Sequence, residues 1–213
     1  MSVPMSQVLA TARTYLNDDS AAFFPDPVLI PKVQEAHREM QAKLWIIGSP
    51  IVRGFWSGNS SASTVPVSIA QSGSGDFLFP FEVFEAPSPA NTPLAPVTEI
   101  DFIPLDFVAQ PNIIYFTFTG SLNTGIVPLV LSPHTATRYV TYNYRKLITV
   151  PVVATDLIGV MAGEQYLAPR AAALAADALG NSDLAGALTA QAEENFADVI
   201  SVNRGQQKPT ERP

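Results

Sequence analysis

Between Asp26 and Gly48, DPVLIPKVQEAHREMQAKLWIIG, the residues Leu29, Val33, Ala36, Met40, Leu44 and Ile47 follow one another at steps of four, three, four, four and three. That spacing predicts a helix with one buried stripe, and it turns Lys32, Glu35, Arg38, Glu39 and Lys43 away from the core. Asp26 is placed to cap the free N–H groups, and Pro27 suits the first helical position, which needs no N–H. Pro31 leaves two readings: an irregular first turn, or a regular helix that starts only near Ile30. Glu35 to Arg38 and Glu39 to Lys43 are favourable spacings within one helix. Gly48, followed by Ser49 and Pro50, ends it.

A shorter amphipathic pattern precedes it. Val8, Leu9, Ala12, Tyr15 and Leu16 predict a first helix over Ser6–Leu16 with Ser6 as its cap, broken by Asn17, Asp18, Asp19 and Ser20. Phe23 and Phe24 are positioned to staple the entry of the second helix, and the two helices should form a hairpin. From Pro50 to about Val153 the pattern shortens, and twelve of the nineteen prolines fall there. Candidate strands are 64–70, 77–85, 97–103, 113–119, 126–131, 137–144 and 147–153. Pro66, Pro80, Pro104 and Pro128 favour edges, bulges and short strands. Gln71–Gly75 and Ala86–Pro96 read as projecting loops. Helix returns near Thr155: Glu164–Leu179 stops at Gly180 and Asn181, with Pro169 either kinking it or marking its regular start. A last helix, capped by Asn181 or Ser182, runs to about Arg204 with Leu184, Leu188, Phe196, Val199 and Val202 on its face.

The expected fold class is α+β: a four-helix bundle made by the N- and C-terminal helices, with a small antiparallel β-domain inserted. The expected divisions are 1–49 for the first hairpin, 50–153 for the β-domain, 154–204 for the closing helices and 205–213 for an extended tail.

Composition narrows the chemistry. The 213 residues are 47% apolar, enough for a substantial core, and no apolar run approaches the length of a membrane span. No secretory leader is read at the N-terminus. Zero cysteines exclude disulfides and thiolate chemistry, and two histidines argue against a histidine-rich metal site. Twelve Lys and Arg against nineteen Asp and Glu give no basic footprint for gripping nucleic acid. Between Asp156 and Asp198 seven acids face one base, Arg170, whereas the last ten residues set Arg204, Lys208 and Arg212 against Glu211 alone.

The sequence holds no recognisable reaction centre. Gly73 and Gly75 lack the lysine and helix of a phosphate loop, and no G-x-S-x-G elbow occurs. His37 reads as helix-flank packing rather than catalysis, His134 as a loop residue, and Asn17–Asp19 as a solvated turn rather than a cation loop. The run Phe77–Phe84 is either a core strand or a subunit contact. The residues assign no catalytic, cofactor-binding or metal-binding role, so the expectation is a protein that is not an enzyme. An acid-based hydrolase ranks last.

The segment Ala12–Gln41, through Leu16, Asn17, Asp18, Phe24, Asp26, Glu35, Ala36, Arg38 and Glu39, resembles the opening of tailed-phage head-to-tail connector (adaptor) proteins. Those begin with a short helix, a Leu-Asn-Asp-like turn, an aromatic and an Asp, and a long helix with a Glu-Ala-x-Arg-Glu core. Leu129–Leu147 is similar to the strand-Pro-strand stretch before their C-terminal helices, and the polar tail Asn203–Pro213 agrees. The proline-rich β-region departs from them. The resemblance implies a structural protein of the virion neck, assembled in the host cytoplasm. It implies a homo-oligomeric ring, commonly a dodecamer, between the portal protein and the tail or tail-terminator and nozzle proteins. DNA would pass through without specific binding, helped by an acidic wall, and no membrane is involved. Arg204, Lys208 and Arg212 are the candidate contacts with the portal. The competing class is a β-rich virion decoration or host-surface binding module that would meet its partner through loops such as Ala86–Pro96.

Overall fold

The computed structural model describes residues 2–69, 77–86, 95–99, 115–118 and 129–204. The chain is α+β and divides into two compact units, residues 1–52 with 148–213, and residues 53–147.

The first unit holds α1 (Met5–Tyr15), α2 (Asp26–Ile46), a 3₁₀ turn (Pro50–Val52), α3 (Gly163–Ala178) and α4 (Ser182–Arg204). Leu29, Val33, Ala36, Met40 and Leu44 of α2 are completely buried. Against them pack Val8 and Leu9 of α1, Tyr166, Leu167 and the alanines of α3, and Phe196 and Val199 of α4. Alanine at 168, 171, 172, 175 and 176 is what lets neighbouring helices approach α3 closely. Two stripe positions depart from expectation: Ile47 and Val202 are exposed, and Asn203 is buried in place of Val202, donating to the Met161 carbonyl at 3.0 Å.

Helix directions follow from the contacts. Arg170 of α3 meets Glu39 while Tyr166 lies by Lys43, so α2 and α3 run antiparallel. Arg170 meets Thr189 while the Gln165 carbonyl meets Asn195, so α3 and α4 also run antiparallel. Val3 and Met5 bond to residues just before α3, which makes α1 run alongside it. The α1–α2 and α3–α4 connections therefore lie at the same end of the unit.

The helix ends differ from what local rules suggest. Neither Ser6 nor Asp26 caps its helix; both helices follow a proline, Pro4 and Pro25, with no side-chain cap. The free N–H groups of Met5 and Ser6 instead donate to the carbonyls of Asp156 and Ala154 at 2.8 and 2.7 Å. Gly48 (φ 65°) and Gly180 (φ 77°) do close α2 and α3 in the left-handed conformation that glycine adopts without steric cost. Asn181 caps α4 through the Leu184 N–H.

Both internal prolines sit within continuous helices. Pro169 removes the bond that the Gln165 carbonyl would receive, and the Asn195 side chain from α4 supplies it at 2.9 Å. Asn195→Ala should therefore lower stability by about 1 kcal/mol, read as a drop in the urea midpoint with unchanged slope. The same substitution in a Pro169→Ala background should cost much less, because the backbone bond is then restored.

Among the described residues the second unit contains two four-stranded sheets. One has the order β1 (Arg53–Ser60), β8 (Arg138–Lys146), β3 (Phe77–Ala86), β4 (Ala95–Pro96). The other has β2 (Val67–Ile69), β7 (Leu129–Leu131), β6 (Tyr115–Phe118), β5 (Thr98–Glu99). Among the described residues the pairing is antiparallel, as expected of the β-domain, apart from the short β5–β6 pair, Thr98–Glu99 beside Tyr115 and Phe116, which is parallel. Val83, Val140, Tyr142 and Tyr144 of the first sheet and Phe116, Leu129 and Leu131 of the second share one core. Register shifts interrupt β3 at Phe77/Phe79 and Pro80/Glu82, the irregularity expected where proline cannot donate to the ladder.

Two strand assignments change. Residues 147–153 form no strand; 148–153 belong to the helical unit, where the Pro151 carbonyl accepts from Gln34. Residues 53–60, with no strong apolar alternation, form β1 and pair along their whole length with β8. Gln71–Gly75, residues 87–94 of the second proposed loop and the tail 205–213 lie outside the described residues, as do the side chains of Phe77, Phe79 and Phe81.

Candidate functional site

In the helical unit the polar groups of α2 are drawn into ties between helices. Glu39 takes a two-pronged contact from Arg170 (Nε to Oε2 2.6 Å, Nη2 to Oε1 2.9 Å), and Arg170 Nη1 donates to Thr189 Oγ1 at 3.0 Å. The guanidinium holds the Glu39 carboxyl below its usual range, and Glu39 raises Arg170 in turn. Lys43 pairs with Glu193 and lies 5.2 and 5.5 Å from the ring centres of Tyr166 and Phe196. The expected pairing of Glu39 with Lys43 along the helix thus gives way to partners on α3 and α4. These ties hold three helices in one arrangement; none presents a free acid or base to a cleft.

The connection between α1 and α2 is built around a carboxylate. Asp18 is buried, contrary to the solvated turn expected, and accepts from the N–H groups of Ala22, Phe23 and Phe24 at 3.0, 3.1 and 2.7 Å. Burial alone would raise its pKa; the three N–H groups and the Arg13 charge outweigh that and hold it below the usual range. Arg13 donates to the Phe24 carbonyl at 2.9 Å and pairs with Asp26. Phe24 packs into the core as a staple should, whereas Phe23 is 81% exposed.

His37 is completely buried, with neither ring nitrogen hydrogen-bonded among the described residues. Burial, reinforced by the nearby Arg38 charge, pushes its pKa down to about 4. It is a core residue, out of reach of any substrate.

His134 is buried as well, correcting the plain loop assignment. Its Nε2 lies 3.1 Å from Ser60 Oγ, at the end of β1, and its Nδ1 2.8 Å from the Ser132 carbonyl, just past β7. The ring thereby ties the edge strand of one sheet to the end of an inner strand of the other, and a backbone bridge between Ser63 and His134 reinforces the tie. Arg138, facing Ser60 across the ladder, lies 3.7 Å from Glu85, and both are nearly buried. Beside His134 an open depression of about 530 Å³ is lined by Ala62, Ser63, Thr64 and Thr135. Ser60 itself is only 2% exposed, so the Ser–His contact serves the sheets. Nothing in residues 132–137 forecast this, because the partner hydroxyl is 74 positions away.

Among the described residues no group of three His, Asp or Glu side chains is arranged to hold a metal, and no helix is long and apolar enough to cross a membrane. Of the three candidate portal contacts, Arg204 is the last residue of α4, with its side chain outside the described residues, and Lys208 and Arg212 lie wholly outside them. No known family model and no curated protein matches this chain.

Proposed function

We propose that the chain is a head-to-tail adaptor of a tailed bacteriophage. In this reading it is a non-enzymatic virion protein whose terminal helices form a four-helix bundle carrying the β-unit as an insertion. Copies form a ring, dodecameric by resemblance, between the portal and the tail proteins. The ring extends the DNA channel with a net-acidic wall that repels phosphates.

The observation that carries the reading is that both ends of the chain build one helical unit, locked by residues of the resembling segment. Asp18 ties down the turn, Asp26 holds Arg13, and Glu39 holds Arg170. Those residue types at that spacing are what the hairpin needs mechanically, which favours an assembly protein over a catalyst.

Mixing the purified chain with portal rings and imaging the product tests it. An additional ring beneath the portal is expected; portal rings that stay bare under conditions where the chain is folded would refute the reading. Removing residues 205–213 should weaken loading in a salt-dependent way, since that step deletes Lys208 and Arg212 from the proposed contact.

A further inference from the structure

Two adjacent phenylalanines part at the start of α2. Phe24 turns inward at 7% exposure and Phe23 outward at 81%. An exposed aromatic on a loose loop carries little meaning, but this loop is fixed. Three successive N–H groups, those of Ala22, Phe23 and Phe24, are bound by the buried Asp18 carboxylate, and Arg13 grips the next carbonyl. Asn17 and Ala21 both stand at φ 57°, and for Ala21 no side-chain hydrogen bond compensates the left-handed backbone. With its backbone already held in one arrangement, Phe23 has little main-chain freedom to lose on contact, which lowers the cost of using it as an anchor.

The surroundings define what it fits. Leu179 (71% exposed) and Val28 (46%) lie at the same end of the unit, because the two interhelix connections do. Residues 17–28 and 177–183 contain five Asp and no Lys or Arg; Asp18 is buried and Asp26 is paired with Arg13, which leaves three for the rim. Asp19, Asp177 and Asp183 are exposed. The end is an apolar knob within an acidic rim. Two copies meeting through it would set like charge against like, which disfavours a second copy as the occupant.

We propose that this end docks a different protein, one offering an apolar pocket for Phe23 rimmed by Lys or Arg. The inference rests on the adaptor reading. α4 ends with Arg204 at the opposite end of the unit, and in the adaptor reading the residues after it meet the portal, so this end faces the tail-side neighbour in the neck.

The test uses portal-bearing heads that lack the adaptor, to which purified chain and then tails are added. Phe23→Ser, with wild-type thermal unfolding, should load onto heads normally while tailed particles fall by about tenfold or more. Asp19→Lys combined with Asp183→Lys should do the same. Wild-type tailing by Phe23→Ser would overturn the proposal, and so would failure of that variant to load, which would place the end against the portal. If the wild-type chain does not load, the adaptor reading itself falls and takes the assigned partner with it.

Discussion

Lowering the pH from 7 towards 4 should strip about 3 kcal/mol from the helical unit through His37 alone. In the unfolded chain this imidazole takes its proton near pH 6.5; in the fold burial holds its pKa at about 4. Between those values the unfolded state binds a proton that the folded state refuses, so stability falls as pH falls. The contribution is intact above about 6.5, declines through the interval, and is spent below about 4. The size follows from the separation of the two pKa values at about 1.4 kcal/mol per unit. Asp18, Glu39 and Asp156 also have lowered pKa values, but their unfolded values lie at 3.8 to 4.5, so they act at the acid end of the window. Urea midpoints of the helical unit at pH 7, 6 and 5 should therefore decline for the native chain and stay nearly flat for His37→Leu. Leucine also removes two buried nitrogens that lack partners among the described residues, so the variant should be the more stable of the two at every pH. Coincident pH profiles would show that His37 does not titrate as its burial requires.

The helices were legible because their information is local. A period of 3.6 over α2 names its buried face from the sequence, and glycine at 48 and 180 names the two stops. What failed were the N-terminal caps, for one reason in both cases. Ser6 and Asp26 are good capping residues, but tertiary partners displaced the local bond: Ala154 and Asp156 accept from the start of α1, and Arg13 claims Asp26. Pro169 shows the reverse, since a residue that should disturb α3 is accommodated by Asn195, twenty-six positions on. No local rule contains either partner.

The candidate surfaces were legible only in part. The run Leu16–Asn17–Asp18 announced a turn but not that Asp18 would be buried beneath it, because burial depends on where three later N–H groups point. Phe23 and Phe24 are identical in type and adjacent in sequence. Only the fixed backbone between Asp18 and Asp26 decides which of them packs inward. His134 was illegible for a similar reason: its role is to join Ser60 and Ser132, which belong to different sheets.

β1 is the least legible element, and Gly54→Ala within it should destabilise the β-unit by about 1–3 kcal/mol. Strand propensity argues against RGFWSGNS because two of its inward positions are glycine. The structure explains both. A Cβ on Gly54 would stand 2.1 Å from Cζ of Tyr144, and one on Gly58 2.4 Å from the Trp56 ring. Trp56 in turn stacks on Tyr142 with ring centres 5.1 Å apart. The missing side chains are thus occupied space, filled by rings from the same strand and from β8. Tyr144 is nearly buried in the shared core, so it cannot swing aside to admit a methyl group without displacing its neighbours. Gly186 in α4 has nothing within 4 Å of the same virtual atom, and Gly186→Ala should instead stabilise by up to about 1 kcal/mol. Because the chain has two units, the effect is best read by hydrogen exchange at the β1 and β8 amides, not from one global transition. Faster exchange there with unchanged protection in α2 and α3 is expected for Gly54→Ala. Shortening the obstructing ring in Gly54→Ala/Tyr144→Leu should cost less than the two changes added together. Unaltered exchange in the single variant would mean that the ring does not lie over Gly54.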